Sequence, residues 1–432
     1  MQFHASSAPR TTDTDAFVWV SSYDDFSQLA HKPRGTPCEK QLHAYKLNAT
    51  NGQLTHVASH DGILNPAFIR HHPSKPIIYA ITESIKQPGR IVGYRYDPKD
   101  GGALLPLCDQ SARGASTCYA TIDKDENWIL SVSYWDSIIS VLPMKNDGSI
   151  GPVSEILGSP KPVAAGGLED HLNNRQSEPH AHAIVLDPLY GKVAFVPDLG
   201  EDVIRQYVFY PESGRLVPAG SQPCAPPHSG PHGPRYIEFA ESGSTAFVVN
   251  ELSSTVSVFR YDTQSAEKLI ESTPSESSTP LLHLTQLIST LPCPIPPPSS
   301  YSLGKNTCGR IAVDPSGNYV LVSNRGHDSI AVYRIRRGND LGTDDETLET
   351  IDIVSTMGGT PRHFQFALGG RYVIVANQDT DCLAIMRLHT DGKLEFTGNK
   401  YECHSPNFVC AQPSSMLQSP FFPLQASVSS EW

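Results

Sequence analysis

Two imidazoles, one carboxylate and two guanidiniums stand at matching places in this chain. PHAH carries His180 and His182, GPR carries Arg235, VVNEL carries Asn250 and Glu251, and VSNRG carries Asn324 and Arg325. An imidazole exchanges protons near neutral pH, and a carboxylate beside it can tune or share that work. Guanidiniums grip planar anions through paired N–H bonds and stabilise a developing oxyanion. Together the set could hold an anionic substrate and move a proton. Each member also has a structural reading: Glu251 can anchor a loop or an arginine, and Arg235 and Arg362 can pair at an element junction. The alternate spacing of His180 and His182 would permit metal ligation from one strand face. No Cys or carboxylate partner set accompanies them, so no metal is expected.

These residues can act together only if their elements converge, and the chain repeats in a way that makes them do so. NPAFIRHHPSKPIIYAITE from Asn65, PHAHAIVLDPLYGKVAFVPDLG from Pro179 and GPRYIEFAESGSTAFVVNELSSTVSVFRYD from Gly233 share one pattern. TCGRIAVDPSGNYVLVSNRGHDSIAVYRI from Thr307 and TPRHFQFALGGRYVIVANQDTDCLAIMRL from Thr360 repeat it. Each is a short apolar strand, a turn, a second apolar strand ending in a polar residue, and a third strand. The turns fall at His72, Asp123, Asp187, Ala240, Asp314 and Ala367, steps somewhat longer than the ~40–50 residues of a propeller blade, which implies loop insertions.

SPNFVCAQPS (residues 405–414) shares Pro, Phe, Pro and Ser with NPAFIRHHPS (residues 65–74) at identical spacing, but no second strand follows it. AFVWVSSY near the N-terminus (residues 16–23) is a second strand with no first. Joining the two predicts an all-β, seven-bladed propeller of four-stranded blades, closed by pairing N-terminal strands with a C-terminal strand. Closure also protects the sheet edges. The expected domain is 14–415, with a Pro/Ser-rich insertion loop at 265–302 and a loose tail at 416–432. Cys118, Cys308 and Cys382 fall within strand phrases and read as small core residues.

The net charge of −12 and the lack of a Lys/Arg run argue against nucleic acid. No apolar stretch approaches the ~20 residues of a membrane span, and no leader is legible, so no membrane partner and a cytoplasmic location are expected. The nine cysteines have no paired spacing, as suits a reducing compartment. The sequence leaves the oligomeric state open, a monomer being compatible with it. There is no GxSxG elbow, GxxxxGK[ST] loop, HExxH or dinucleotide fingerprint.

RQSEPHAHAIVLDP, VPDLGEDVIRQY, GPRYIEF, VVNELSSTVSVFRYD, VSNRGHDSIAVYR and TPRHFQF…VANQDTD together resemble the lactonase seven-bladed propellers, which include 6-phosphogluconolactonases and carboxy-cis,cis-muconate cyclases. The resemblance spans nearly the whole chain. It implies catalytic residues His182, Arg235, Glu251 and Arg325, no metal or organic cofactor, and a small anionic lactone as substrate. His180, Asn250, Asn324 and Tyr236 are the expected substrate-binding neighbours. GPRY departs from the family's common GPRH, so Tyr236 replaces a second imidazole, and VSYWDSIISV departs from the usual turn in the third repeat. The first reading is hydrolysis of 6-phospho-D-glucono-1,5-lactone, with His182 or Glu251 as the base. A carboxymuconate cyclase is the alternative within the family, and a non-catalytic binding scaffold is the alternative outside it.

Overall fold

The computed structural model describes residues 14–158, 171–172, 174–293, 305–338 and 345–413. Seven antiparallel four-stranded sheets stand around a central channel. Blades 2 to 7 each take four strands in chain order from the channel outwards. Their innermost strands are Pro66–His71, Thr117–Ile122, Val185–Leu186, Pro234–Phe239, Thr307–Val313 and Pro361–Ala367. Blade 1 is composite: Pro406–Ala411 pairs with Ala16–Ser22, which is followed outwards by Leu42–Leu47 and Leu54–His60. The ring therefore closes by the strand exchange expected from the sequence.

The recurring turn has a physical cause. Asp123 Oδ1 accepts from the backbone N–H groups of Asn127 and Trp128 at 2.8 and 2.7 Å. Asp314 Oδ1 does the same for Asn318 and Tyr319 at 2.9 and 2.7 Å. A carboxylate that satisfies two turn amides fixes the reversal between the innermost and second strands. In blade 2, His72 Nδ1 takes over part of this role for Ser74. Second strands such as Ile77–Thr82, Val193–Asp198 and Tyr372–Asn377 are buried on both faces because neighbouring blades cover them, and they read as nearly unbroken apolar runs.

The segment 265–302, expected as an insertion loop, contains regular structure. Thr263–Glu271 is an α-helix capped by Asp262 and docked through Ala266 and Leu269. Leu282–Ser289 is the outermost strand of blade 5. The proline- and serine-rich composition on both sides masked a short amphipathic helix and an eight-residue strand. Residues 294–302 and the tail 416–432 lie outside the described residues. Cys118, Cys308 and Cys382 are buried, as expected. Among the described residues, no helix is long and apolar enough to cross a membrane.

Candidate active site

Two rings of side chains build the channel mouth. The first comes from a β-bulge at the same point of the innermost strands. Pairing skips one extra residue there: Asn407 in blade 1, Ala67 in blade 2, Cys118 in blade 3, Arg235 in blade 5 and Arg362 in blade 7. In blade 6 the slip falls at Gly309–Arg310. In blade 4, His182 to Ile184 lie between the Ala181–Asp198 bridge and the Val185–Phe195 pair, three residues against two. A bulge leaves its extra residue outside the ladder and re-aims its side chain. Ala67, Cys118, His182, Arg235, Arg362 and Asn407 accordingly line one stretch of channel. Gly309 must be small, because a Cβ there would sit 2.6 Å from Ser323 Oγ and 2.9 Å from the Arg362 carbonyl.

The second ring is the residue at or one step past the end of each second strand: Tyr23, Glu83, Tyr134, Leu199, Glu251, Arg325 and Gln378. Six of them donate their backbone N–H to the stretch leading into the neighbouring innermost strand, as Glu83 does to Asn65 and Glu251 to Gly233. All but Leu199 are polar or ionisable, and Glu83, Tyr134, Glu251 and Arg325 line the cavity at the mouth.

His182, Arg235, Glu251 and Arg325 converge on one cavity of about 40 Å³ that Arg175, Tyr134, Arg362, Glu83 and His31 also line. Glu251 is its hub. Its Oε2 receives Arg325 Nη2 at 2.9 Å and Arg235 Nε at 3.0 Å, and its Oε1 receives Arg175 Nη1 at 3.1 Å. His182 Nε2 stands 4.0 Å from Oε2, outside hydrogen-bond range. Arg235 also donates to the Gly309 carbonyl and lies over the Tyr236 ring, 4.3 Å from its centroid. Arg325 also donates to the Cys308 carbonyl.

Burial alone would raise the Glu251 pKa, but Arg325, Arg175 and Arg235 outweigh it and hold the carboxyl well below the usual carboxylate range. Burial, reinforced by Arg235 and opposed by Glu251, holds the His182 imidazole neutral far below 6.5. Burial lowers Arg325 to about 10, so it stays charged at neutral pH.

The remaining expected residues divide. Tyr236 lines the adjoining stretch of channel rather than this cavity, edge-on to His182. His180, Asn250 and Asn324 do not line the cavity. His180 stacks on the Tyr134 ring at 4.6 Å and holds the Tyr134 carbonyl through Nδ1. The Asn250 amide bonds Thr255 and Ser257, and Asn324 bonds Thr290 and Ser329. Successive strand residues face opposite ways, so an asparagine one step before a mouth residue turns into the blade. Among the described residues, no group of three or more His, Cys, Asp or Glu is placed to hold a metal ion.

Arg175, Tyr134 and Glu83 were not singled out from the sequence. Glu83 had a signal, because Thr82-Glu83 ends its second strand at the register of Asn250-Glu251. Tyr134 had the same register. Arg175 opens the phrase RQSEPHAH but has no repeat register to mark it: it reaches Glu251 and the Tyr134 hydroxyl from an irregular segment.

Residues 17–411 match the family model described as "Lactonase, 7-bladed beta-propeller". The chain is 28% identical over 345 residues to a 6-phosphogluconolactonase of Bacillus subtilis, covering 80% of this chain and 86% of that one. A 6-phosphogluconolactonase of Formosa agariphila is 23% identical over 360 residues, 82% and 90% of the two chains. The structure of a periplasmic gluconolactonase from Pseudomonas aeruginosa superposes with a TM-score of 0.72 at 23% identity, covering 92% of this chain and 99% of that one. With the family model spanning all seven blades, the chain belongs to the seven-bladed β-propeller lactonases.

Proposed function

We propose that the protein hydrolyses a sugar lactone, with 6-phospho-D-glucono-1,5-lactone as its first candidate substrate. The convergence of His182, Arg235, Glu251 and Arg325 on one water-sized cavity carries this reading, and the relatives named 6-phosphogluconolactonase support the substrate class. Glu251 is bound by three guanidiniums and is a weak base for that reason. His182 is the better one: with its proton on Nδ1, near Cys118 Sγ, the Nε2 lone pair faces the cavity.

Water loses a proton to His182 Nε2 as its oxygen bonds to the lactone carbonyl carbon. Arg235 and Arg325 stabilise the oxyanion, and the Glu251 carboxylate stabilises the imidazolium. Collapse of the intermediate breaks the ring C–O bond, and the imidazolium returns its proton to the departing ring oxygen. The product is the open hydroxy acid. A pure scaffold has no use for this buried charge arrangement.

The test is to generate 6-phosphogluconolactone in situ and to follow its loss above spontaneous hydrolysis, with wild type and His182→Ala side by side. Wild type should accelerate the loss, and the variant should fall by roughly 10²–10⁴-fold. No acceleration by wild type, with turnover of a carboxymuconate instead, would replace hydrolysis by lactone formation. Full activity in the variant would remove His182 from the mechanism.

A further inference from the structure

The cavity has a second half whose charges are arranged differently from those around Glu251. Glu83 faces it from blade 2, and Arg362 faces it from the bulge of blade 7. The Glu83 oxygens are already occupied by neutral donors, Tyr23 Oη at 2.9 Å and Ser116 Oγ at 3.1 Å. Arg362 Nη2 comes no nearer to Glu83 Oε2 than 3.7 Å. That distance gives Coulombic attraction without a hydrogen bond.

The four guanidiniums around the cavity are therefore unequal. Arg175, Arg235 and Arg325 each bond Glu251 and one further oxygen. Arg362 makes no hydrogen bond to any described residue, although its side chain is only 12% exposed. It is held over the Tyr23 ring, 5.4 Å from the centroid. Its donors stay open to whatever enters the cavity, and a guanidinium that bonds nothing around it can present its whole fork to an anion. Four guanidiniums against two carboxylates also leave the cavity positive, since burial keeps His182 and His31 neutral.

We propose that Arg362 is the anchor for the anionic group that the substrate carries away from its lactone carbonyl, a phosphate or carboxylate received through the guanidinium fork. Taking this anion as part of a lactone rests on the function proposed above. The Glu251 cluster then works on the carbonyl while Arg362 holds the far end of the molecule. Arg362 thereby sets the preference for charged over uncharged lactones. The adjacent Glu83 orients the guanidinium without sharing its hydrogen bonds.

Arg362→Gln and Arg362→Lys should be assayed on 6-phosphoglucono-1,5-lactone and on uncharged glucono-1,5-lactone, with inorganic phosphate titrated calorimetrically into each protein. Losing a charge-assisted contact should lower kcat/KM for the phosphorylated lactone by roughly 10- to 100-fold, mainly through KM. The uncharged lactone should change by less than about threefold, because it makes no such contact. The lysine variant keeps the buried charge beside Glu83, and should fold and recover part of the loss. Equal losses on both lactones, or none on either, would overturn the assignment. Should wild type hydrolyse neither lactone, the proposed function fails, and phosphate binding then decides the anchor. Binding weakened at least tenfold in Arg362→Gln, by the same physical estimate, upholds it; binding that is absent or unchanged overturns it.

Discussion

Glu251 and His182 lie 4.0 Å apart, and their surroundings push both pKa values down for different reasons. For the carboxyl, three guanidiniums overcome burial; for the imidazole, burial itself favours the neutral form. Both groups thus sit at neutral pH in the state that the proposed hydrolysis requires, an anion and a free base. Glu251 also offsets part of the repulsion among the three arginines that share its site; burial together with that repulsion still lowers the Arg325 pKa. Glu251→Gln preserves its shape and removes its charge, leaving Arg175, Arg235 and Arg325 uncompensated. The expected cost is about 3–5 kcal/mol of stability, measured by denaturant unfolding, together with loss of most lactonase activity. A glutamine variant within about 1 kcal/mol of wild type, the worth of one ordinary hydrogen bond, would show that the carboxylate is not the counter-ion this geometry makes it.

At the scale of elements, the strand Pro406–Ala411 both closes the ring and supplies the mouth with Asn407 and Phe408. Burial of Phe408 and Val409 contributes roughly 3–6 kcal/mol, and loss of the strand leaves Ala16–Ser22 as an open edge. A chain ending at Glu402 should melt roughly 4–7 °C lower or fail to fold, as thermal circular dichroism would record. An unchanged melting temperature would mean that blade 1 is stable with three strands. This closure was legible in the sequence because SPNFVCAQPS repeats the spacing of an earlier phrase. The bulge ring was not, because no one residue type runs through it: Ala67, Cys118, His182, Arg235, Arg362 and Asn407 have only their register in common. Arg235 stood out beside the other polar residues, whereas Arg362 in TPR read as a junction residue. A guanidinium at a strand start gives the same sequence signal whether it is paired or free. Asn250 and Asn324 erred the other way, since their register matched but strand alternation turned them inward.

For the whole molecule, the consequence of packing seven blades is a set of imidazoles shut away from water. Burial lowers His71 and His72 to about 4 and His171 to about 3, and it holds His31, His182 and His363 well below 6.5. In the unfolded chain the same groups take up protons near pH 6.5. Below that pH the unfolded state therefore binds more protons than the folded state, and stability falls as pH falls. The fall begins near 6.5 and continues to about 4 for His71 and His72, at up to about 1.4 kcal/mol per pH unit for each histidine. The depressed Glu251 carboxyl acts in the same direction but only below about 4.5, where its unfolded counterpart protonates. Acidification as far as the sequence pI of about 5.8 also draws the net charge of −12 towards zero and relieves self-repulsion, but salt screens that long-range term more than it does the buried groups. Calorimetric melts from pH 8 to 4.5 at constant ionic strength should show a plateau above 6.5 and a steady decline below it. A melting temperature that stays level down to pH 4.5 would mean that the folded protein protonates its histidines as readily as the unfolded chain does, and that these imidazoles are open to water.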